Sequence, residues 1–317
     1  LWLAISLPFL AIVLSLDYHT ICRYAPVLYI TMIVALVVLL FLGKTISGSR
    51  RWIQLGPMSI QPSEFSKLVM IAILARYFER VKKQELLKLT DLLIPGFLIA
   101  IPFFLIAKQP DLGTSIIVAL ISLSIILLVG INKKSLAILF SAGLVSIPFL
   151  WSFLKDYQKK RVLTLFNPNS DPLGTGYHAI QSKIAVGSGE LWGKGFLEGT
   201  QSRLNFLPEK HTDFIFATIA EETGFIGSMV ILILFAFLIY KGISIAHQCK
   251  DRSGLFIVAG VTSMITYHIV LNIGMAVGIA PIVGIPLPFI SYGGSSLFTF
   301  LMATGLLLNV NMRNYTD

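Results

Sequence analysis

Charge is scarce in this chain. Asp, Glu, Lys and Arg make up 13% of its 317 residues, against 55% hydrophobic. A soluble domain carries about 25% charged residues, so that class is excluded. Histidine is thin as well: five are scattered along the chain, with no HExxH, no DxD and no Cys/His cluster, so no dedicated metal centre is expected. The absence of a P-loop, and of a GxGxxG opening a helix after a strand, argues against an ATP-driven pump. The only two cysteines, Cys22 and Cys249, fall in connectors assigned below to the cytoplasm, so no structural disulfide is expected. There is no low-complexity tract, no 20–50-residue repeat and no nucleic-acid-binding motif. Apolar stretches do not alternate with polar residues every second position, which excludes a β-barrel.

What the chain has instead is long apolar runs. Nine recur, at 1–16, 24–43, 64–79, 91–107, 112–130, 135–154, 215–240, 255–279 and 289–310. Each is near the length needed to cross a hydrocarbon core of roughly 30 Å. In lipid each span must satisfy its own backbone, so the expected fold is an all-α integral membrane protein, a polytopic helical bundle. One set of short connectors collects eleven basic residues: Arg23, Arg80, Lys82, Lys83, Lys88, Lys133, Lys134, Lys241, Lys250, Arg252 and Arg313. The opposite short connectors hold four: Lys44, Arg50, Arg51 and Lys108. The positive-inside rule puts the first set and the C-terminus in the cytoplasm. The net charge of +9 then reads as basic loops beside anionic lipid. With nine spans Leu1 emerges outside, so a further helix is expected ahead of it.

One segment is not written for lipid: Lys155 to Phe214, expected as a large extracytoplasmic loop within a single membrane domain covering 1–317. Seven glycines lie between Asp171 and Thr200. A loop of this length is either disordered or functional. Its apolar residues (Tyr177, Ile180, Leu191, Trp192, Phe196 and Leu207 among them) argue that it folds back onto the protein.

Charges near membrane spans are costly and default to functional candidates. Four places qualify. In GSRRWIQLGPMSIQPSEFSK (Gly48 to Lys67), Gly56-Pro57 marks a turn and Gln61-Pro62-Ser63-Glu64 opens a helix. Glu64 and Lys67, three apart, share a face. The plainer reading is a helix start with a local ion pair, and Trp52 as an interfacial belt residue. In Lys108-Gln109-Pro110-Asp111, Asp111 could simply cap the following helix. In Pro208-Glu209-Lys210-His211-Thr212-Asp213 the cap reading again competes with a dense set of proton-handling groups. Glu221, Glu222, Tyr267, His268 and Asn272 read most simply as interhelical glue; His268 and Asn272, four apart, face the same way.

Together the segments GSRRWIQLG, QPSEFSK, KQPDLGTS, DPLGTGYHAIQSKIAVGSGELWGKG, GTQSRLNFLPEKHTDFIFATIAEETG and GIPLPFISYGGSSL resemble, in order, those of the SEDS (shape, elongation, division, sporulation) family of cell-wall polymerases. The likeness runs from Leu1 to about Asn311. Tyr177-His178 and Gly199-Thr200-Gln201-Ser202 lean towards its rod-shape elongation branch over the division branch. The resemblance implies a ten-helix fold with one large outer loop and, since six spans precede the loop here where the family has seven, it too implies a missing first helix. It also implies a multi-pass protein of the bacterial cytoplasmic membrane. Its activity would be a peptidoglycan glycosyltransferase that polymerises lipid II (undecaprenyl-pyrophosphate disaccharide-pentapeptide) on the outer face, beside a class B penicillin-binding protein supplying the transpeptidase. The essential carboxylate of the family's loop falls on Asp213, its functional Trp on Trp52, and its QPSE and QPDLG polar positions on Gln61, Ser63, Glu64, Lys67 and Asp111. Near Gln61 the chain departs from some relatives, with Ser59 where they carry a basic residue.

The implied chemistry suits these residues. A sugar hydroxyl displaces undecaprenyl pyrophosphate from the donor anomeric carbon in one inverting step. A base that takes the hydroxyl proton is worth roughly 10²–10⁴-fold, and cationic groups stabilise the departing pyrophosphate. Asp213 is the expected base. Lys67, Lys108, Lys183, Arg203 and Lys210, with His211 nearby, supply outer-face substrate contacts; Lys67 and one of Arg203 or Lys210 are the expected pyrophosphate contacts. A divalent cation, Mg²⁺ or Mn²⁺, beside the leaving group is left open. Two other readings stay open: a lipid II flippase or transporter, kept alive by Glu221, Glu222 and His268, and a non-catalytic scaffold for the transpeptidase.

Overall fold

The computed structural model describes residues 2–42, 44–46, 49–55, 58–81, 86–172, 174–203, 207 and 211–314. Each of the nine apolar runs is a helix. The chain opens with α1 (Trp2–Ser15) and α2 (Tyr18–Leu42). Three short strands follow, β1 (Lys44–Ile46), β2 (Ser49–Leu55) and β3 (Met58–Ile60). Then come α3 (Pro62–Glu79), α4 (Leu93–Lys108), α5 (Leu112–Val129) and α6 (Lys133–Phe153). The long interruption forms α7 (Asp156–Phe166), α8 (Thr175–Ser188) and the one-turn α9 (Thr200–Arg203), before α10 (Ile215–Gln248), α11 (Arg252–Val277) and α12 (Gly294–Arg313). Among the described residues six helices are long and apolar enough to cross a membrane: α2, the segment ending in α4, α5, α10, α11 and α12. Of the other three runs, α1 is 14 residues long, α3 carries four charged side chains, and α6 opens on Lys133-Lys134 and is exposed along most of its length. Gly56-Pro57, Lys82, Lys83 and Pro208 to Lys210 lie outside the described residues.

The antiparallel sheet, in the order β1-β2-β3, is a feature the all-helical reading did not anticipate. Its strands run three, seven and three residues: β1 and β3 are too short for a period-2 signature, and β2, which reads SRRWIQL, does not alternate. The register Gln54↔Ser59 and Ile53↔Ile60 delivers the chain directly to the start of α3.

Two compact units make up the chain: Leu1–Leu136 with Ile239–Tyr267 and Gly293–Asp317, and Ala137–Leu238 with His268–Tyr292. In the first, α2, α4, α5 and α12 all pack on α3. That explains how the most charged of the runs can be a core helix: α3 faces protein, and ionisable groups at membrane depth are tolerated where they face the bundle interior. Met70, Ile71, Leu74, Ala75 and Phe78 are fully buried on it.

At two of the prolines inside helices of this unit, a neighbour satisfies the freed carbonyl. Pro102 has no N–H for the carbonyl of Leu98, and the Tyr29 hydroxyl donates to that carbonyl at 2.9 Å. Pro26 likewise deprives Cys22, whose carbonyl takes Arg76 Nη1 at 3.0 Å. Such freed groups would otherwise face hydrocarbon unsatisfied.

In the second unit the break is in α10 at Gly224, where φ is 66° and ψ −162°. Here the repair comes from the loop after α8. Lys194 N–H and Gly195 N–H donate to the carbonyls of Glu221 and Glu222, at 3.0 and 3.1 Å. Phe225 N–H and Ile226 N–H donate in turn to Glu190 and Leu191, at 2.8 and 3.2 Å. Glycine is required on both sides of this splice: a Cβ on Gly224 would come within 2.6 Å of the Leu191 carbonyl oxygen, and one on Gly193 would strike the backbone of Glu222.

Candidate functional site

Seven of the residues singled out from the sequence fall into two centres, one in each unit.

In the first unit the centre sits where β3 turns into α3. Pro62 occupies the first helical position, where its missing N–H costs nothing, and Gln61 is the N-cap in extended conformation. Gln61 N–H donates to Ser295 Oγ at 3.1 Å, and Ser295 Oγ donates to the Ser59 carbonyl at 3.3 Å, so α12 holds the entry to α3. The Gln61 side chain then reaches Asp111 Oδ2 at 2.8 Å, and Ser63 Oγ reaches the same oxygen at 3.0 Å. The other oxygen, Oδ1, accepts the Thr114 N–H at 3.3 Å as the N-cap of α5 and lies 3.6 Å from Arg51 Nη1. Asp111 is therefore a helix cap and the hub of a buried network at once; it is 2% exposed.

One turn further along α3, Lys67 Nζ and Glu64 Oε2 are 2.8 Å apart. Lys67 is completely buried, with its ammonium 5.7 Å from the Phe300 ring centroid. The two charges require each other, because a lone ion at such depth is very costly. Trp52 is half-buried on β2 and, by the alternation of a strand, faces away from its neighbour Arg51. Lys108 ends α4 exposed, while the adjacent Gln109 is buried and donates to the Leu36 carbonyl at 2.8 Å.

In the second unit the centre is the turn ahead of α10. The first helical residue is Ile215, and the Phe214 carbonyl accepts the Thr218 N–H at 3.1 Å, so the N-cap position falls on Phe214 rather than on Thr212 or Asp213. The turn is fastened through its peptide carbonyls. That of His211 takes Tyr292 N–H at 2.8 Å, that of Thr212 takes Ser291 Oγ at 2.7 Å, and that of Asp213 takes Asn272 Nδ2 at 3.0 Å. The same Asn272 amide also donates to the Ile285 carbonyl at 2.7 Å, and His268 Nδ1 lies 3.1 Å from the Pro286 carbonyl. The four-residue spacing of His268 and Asn272 thus brings both onto one loop, residues 284–287.

The Asp213 carboxylate lies beside Gly284, whose φ is 73°; a Cβ there would approach Oδ2 to 3.2 Å. Glycine is the residue that allows both this conformation and this approach. His211 is exposed, as are Arg203 on α9 and Lys183 on α8. Lys210 lies outside the described residues. Glu221 is engaged elsewhere: its Oε1 takes Lys194 Nζ, Thr200 Oγ1 and the Gln201 N–H at 2.9, 3.1 and 2.9 Å, which anchors α9 and the loop before it.

The structure thus gathers Gln61, Ser63, Glu64, Lys67 and Asp111 in one place and Asp213 and His211 in another. Three supporting residues were not picked as site residues by sequence reasoning. Arg51 was counted only as outer-face charge, Ser295 lay inside the quoted SYGGSS run, and Asn272 was read as glue. For Asn272, an amide in an apolar span was itself the signal. Among the described residues no three His, Cys, Asp or Glu side chains are grouped to hold a metal ion.

Residues 1–316 match the family described as cell cycle protein, FtsW/RodA/SpoVE. The chain is 44% identical over 289 residues to the peptidoglycan glycosyltransferase MrdB of Escherichia coli K12, covering 91% of this chain and 78% of that protein. It is 41% identical over 302 residues to the stage V sporulation protein E of Bacillus subtilis, covering 94% and 82%. A chain solved in a peptidoglycan synthase complex that coordinates polymerization and crosslinking superposes with a TM-score of 0.85 at 30% identity, over all of this chain and 89% of that one. With the match extending over nearly every residue, this chain belongs to the FtsW/RodA/SpoVE family.

Proposed function

We propose that this peptidoglycan glycosyltransferase polymerises lipid II into glycan strands, with Asp213 as the base that takes the proton of the acceptor sugar hydroxyl. In that step the hydroxyl oxygen bonds to the donor anomeric carbon, and the bond from that carbon to the diphosphate breaks. The diphosphate leaves with the electron pair, and the proton passes to the carboxylate. The observation that carries the reading is the frame around Asp213. Three donors, the Tyr292 N–H, the Ser291 hydroxyl and the Asn272 amide, hold the carbonyls of residues 211–213 and 285 through four hydrogen bonds, while a glycine at positive φ keeps space at the carboxylate. A base is effective when it is held within reach of its proton, and this turn is held.

Relatives bearing the same activity name, and a structural neighbour drawn from a polymerization and crosslinking complex, support a transpeptidase partner of the class B penicillin-binding type. Service in rod-shape elongation rests on Tyr177-His178 and Gly199 to Ser202. The distribution of Lys and Arg supports an Asp213 turn on the extracytoplasmic face and a cytoplasmic C-terminus. A Mg²⁺ or Mn²⁺ ion accompanying the diphosphate would be held mainly by phosphate oxygens, with one or two carboxylates at most. Two of the three residues that favoured transport are otherwise occupied, since Glu221 anchors the loop and His268 holds the Pro286 segment.

Labelled lipid II incubated with the purified protein provides the test. Asp213→Asn should fold and melt as the parent does yet make no glycan polymer on a gel. Polymer at near-parental yield would remove Asp213 from the mechanism. A variant with intact activity but lower stability would mark Asp213 as a purely structural residue of the turn.

A further inference from the structure

Between α8 and α9 the second unit turns four large apolar side chains outward: Leu191, Trp192, Phe196 and Leu197, each at least 61% exposed. Exposed apolar residues are ordinary singly, but four in one short segment mark a contact surface. The backbone that bears them is strained. Glu190 and Leu197 sit in the left-handed region, at φ of 48° and 62°, although neither is glycine. Such conformations persist where the surrounding structure imposes them, and they gather at functional segments. Here the imposing structure is the splice into α10, which fastens residues 190–195 to residues 221–226.

The splice also sets the depth of the segment. Gly224 interrupts α10, so its long continuous part begins at Phe225. From Phe225 to Tyr240 no residue is charged, and Lys241 comes next. At 1.5 Å per residue, Phe225 stands roughly 24 Å along the helix from Lys241. A hydrocarbon core is roughly 30 Å thick. With Lys241 at one polar boundary, Phe225 therefore lies inside the other, about 6 Å below it. Phe225 and Ile226 are exposed too, and it is their N–H groups that donate to Glu190 and Leu191. The outward side chains of the loop thus continue the lipid-facing surface of α10. The charges at this level are closed on each other, with Lys194 Nζ 2.9 Å from the buried Glu221 Oε1.

We propose that residues 191–197 form a re-entrant anchor, seated in the membrane leaflet on the side of the Asp213 turn. Its partner is the boundary between lipid headgroups and acyl chains. The side chains match that boundary: the Trp192 ring carries a polar N–H suited to the headgroup level, and Phe and Leu suit the chains beneath. The backbone meets the condition that lipid imposes, which is that polar groups be paired within the protein. The N–H groups of Gly193, Lys194 and Gly195 donate to the carbonyls of Gly189, Glu221 and Glu222. Part of the long interruption between apolar runs is then held in the membrane rather than in water, beside the break in α10.

Fluorescence quenching of the purified full chain in phosphatidylcholine nanodiscs tests the anchor. The difference in emission between the parent and Trp192→Phe isolates Trp192 from Trp2, Trp52 and Trp151. That emission should be quenched by phosphatidylcholine brominated near the top of its acyl chains and shielded from aqueous iodide. Phe196→Trp in the Trp192→Phe background should give the same pair of results, so the test does not hang on one side chain. Quenching by iodide with none by the brominated lipid would place the segment in water and overturn the proposal. Shielding from both quenchers would overturn it as well, because the side chains would then be covered by protein, such as a second copy in the disc.

Discussion

The two acidic centres are built in opposite ways. Around Asp111, side chains bind side chains: Gln61, Ser63 and Arg51 converge on one carboxylate, and Glu64 closes on Lys67, all of it buried except Arg51. Around Asp213, neighbours bind main chain: Tyr292, Ser291 and Asn272 take the carbonyls of three successive residues. A carboxylate that accepts several hydrogen bonds is committed to holding helices in register. A carboxylate whose peptide frame is held can be aimed. On the function proposed above, the denser cluster of charge near a span serves as scaffolding and the thinner centre serves the chemistry.

The comparison is broken most severely at the buried pair. Glu64→Gln alone, or Lys67→Met alone, leaves one charge uncompensated where the parent side chains are at most 5% exposed, at an expected loss of ~3–5 kcal/mol. The double substitution should recover a large part of that, because coupled sites are not additive. Thermal melts of the three variants in one detergent decide it. Additive losses would mean that the pair is no unit and that α3 tolerates a lone charge.

Asn272→Ala sharpens the contrast from the other side. It orphans two buried carbonyls, those of Asp213 and Ile285, at ~1–3 kcal/mol. A frame that only stabilises should cost no more than that. A frame that aims a base should also lower kcat for lipid II polymerisation well beyond the drop in folded protein, with KM nearly unchanged. Assaying at a temperature where the variant is fully folded separates the two.

How much of this was legible in the sequence depends on how far apart the partners lie. The apolar runs, the shared face of Glu64 and Lys67 and the capping role open to Asp111 are local, and helical period or turn chemistry shows them. The convergence of Gln61 and Ser63 on Asp111, 50 and 48 positions away, follows from the packing of α3 on α5 and leaves no periodic trace. Asn272 and Asp213 are 59 apart. The splice into α10 is less visible still, since it is made of backbone hydrogen bonds, and Gly224 reads in sequence as one more small residue in a membrane helix. The three strands were missed because β1 and β3 are only three residues long and the seven residues of β2 do not alternate.

A third carboxylate, Asp251, offers the smallest and most controlled comparison. It caps α11 in the connector after α10, with Gly254 N–H at 3.0 Å, the Ser253 hydroxyl bound to the same oxygen, Tyr18 Oη at 2.8 Å and His19 Nε2 at 3.5 Å. Burial would raise its pKa, but these hydrogen bonds and the nearby His19 outweigh burial and hold it below the ordinary carboxylate value. Its protonated form is therefore disfavoured in the folded chain relative to the unfolded one. The stability it contributes is complete above the unfolded pKa of about 3.9 and is lost as pH falls through the lower folded value. Asp251→Asn should cost about 1 kcal/mol or less near pH 7, since the group is partly exposed and solvent screens it. The gap between parent and variant should then narrow below about pH 3.9. Melting curves recorded from pH 7 down to 3 would show that convergence. A constant gap would mean that the cap acts through shape rather than charge, which would place Asp251 with neither of the two larger centres.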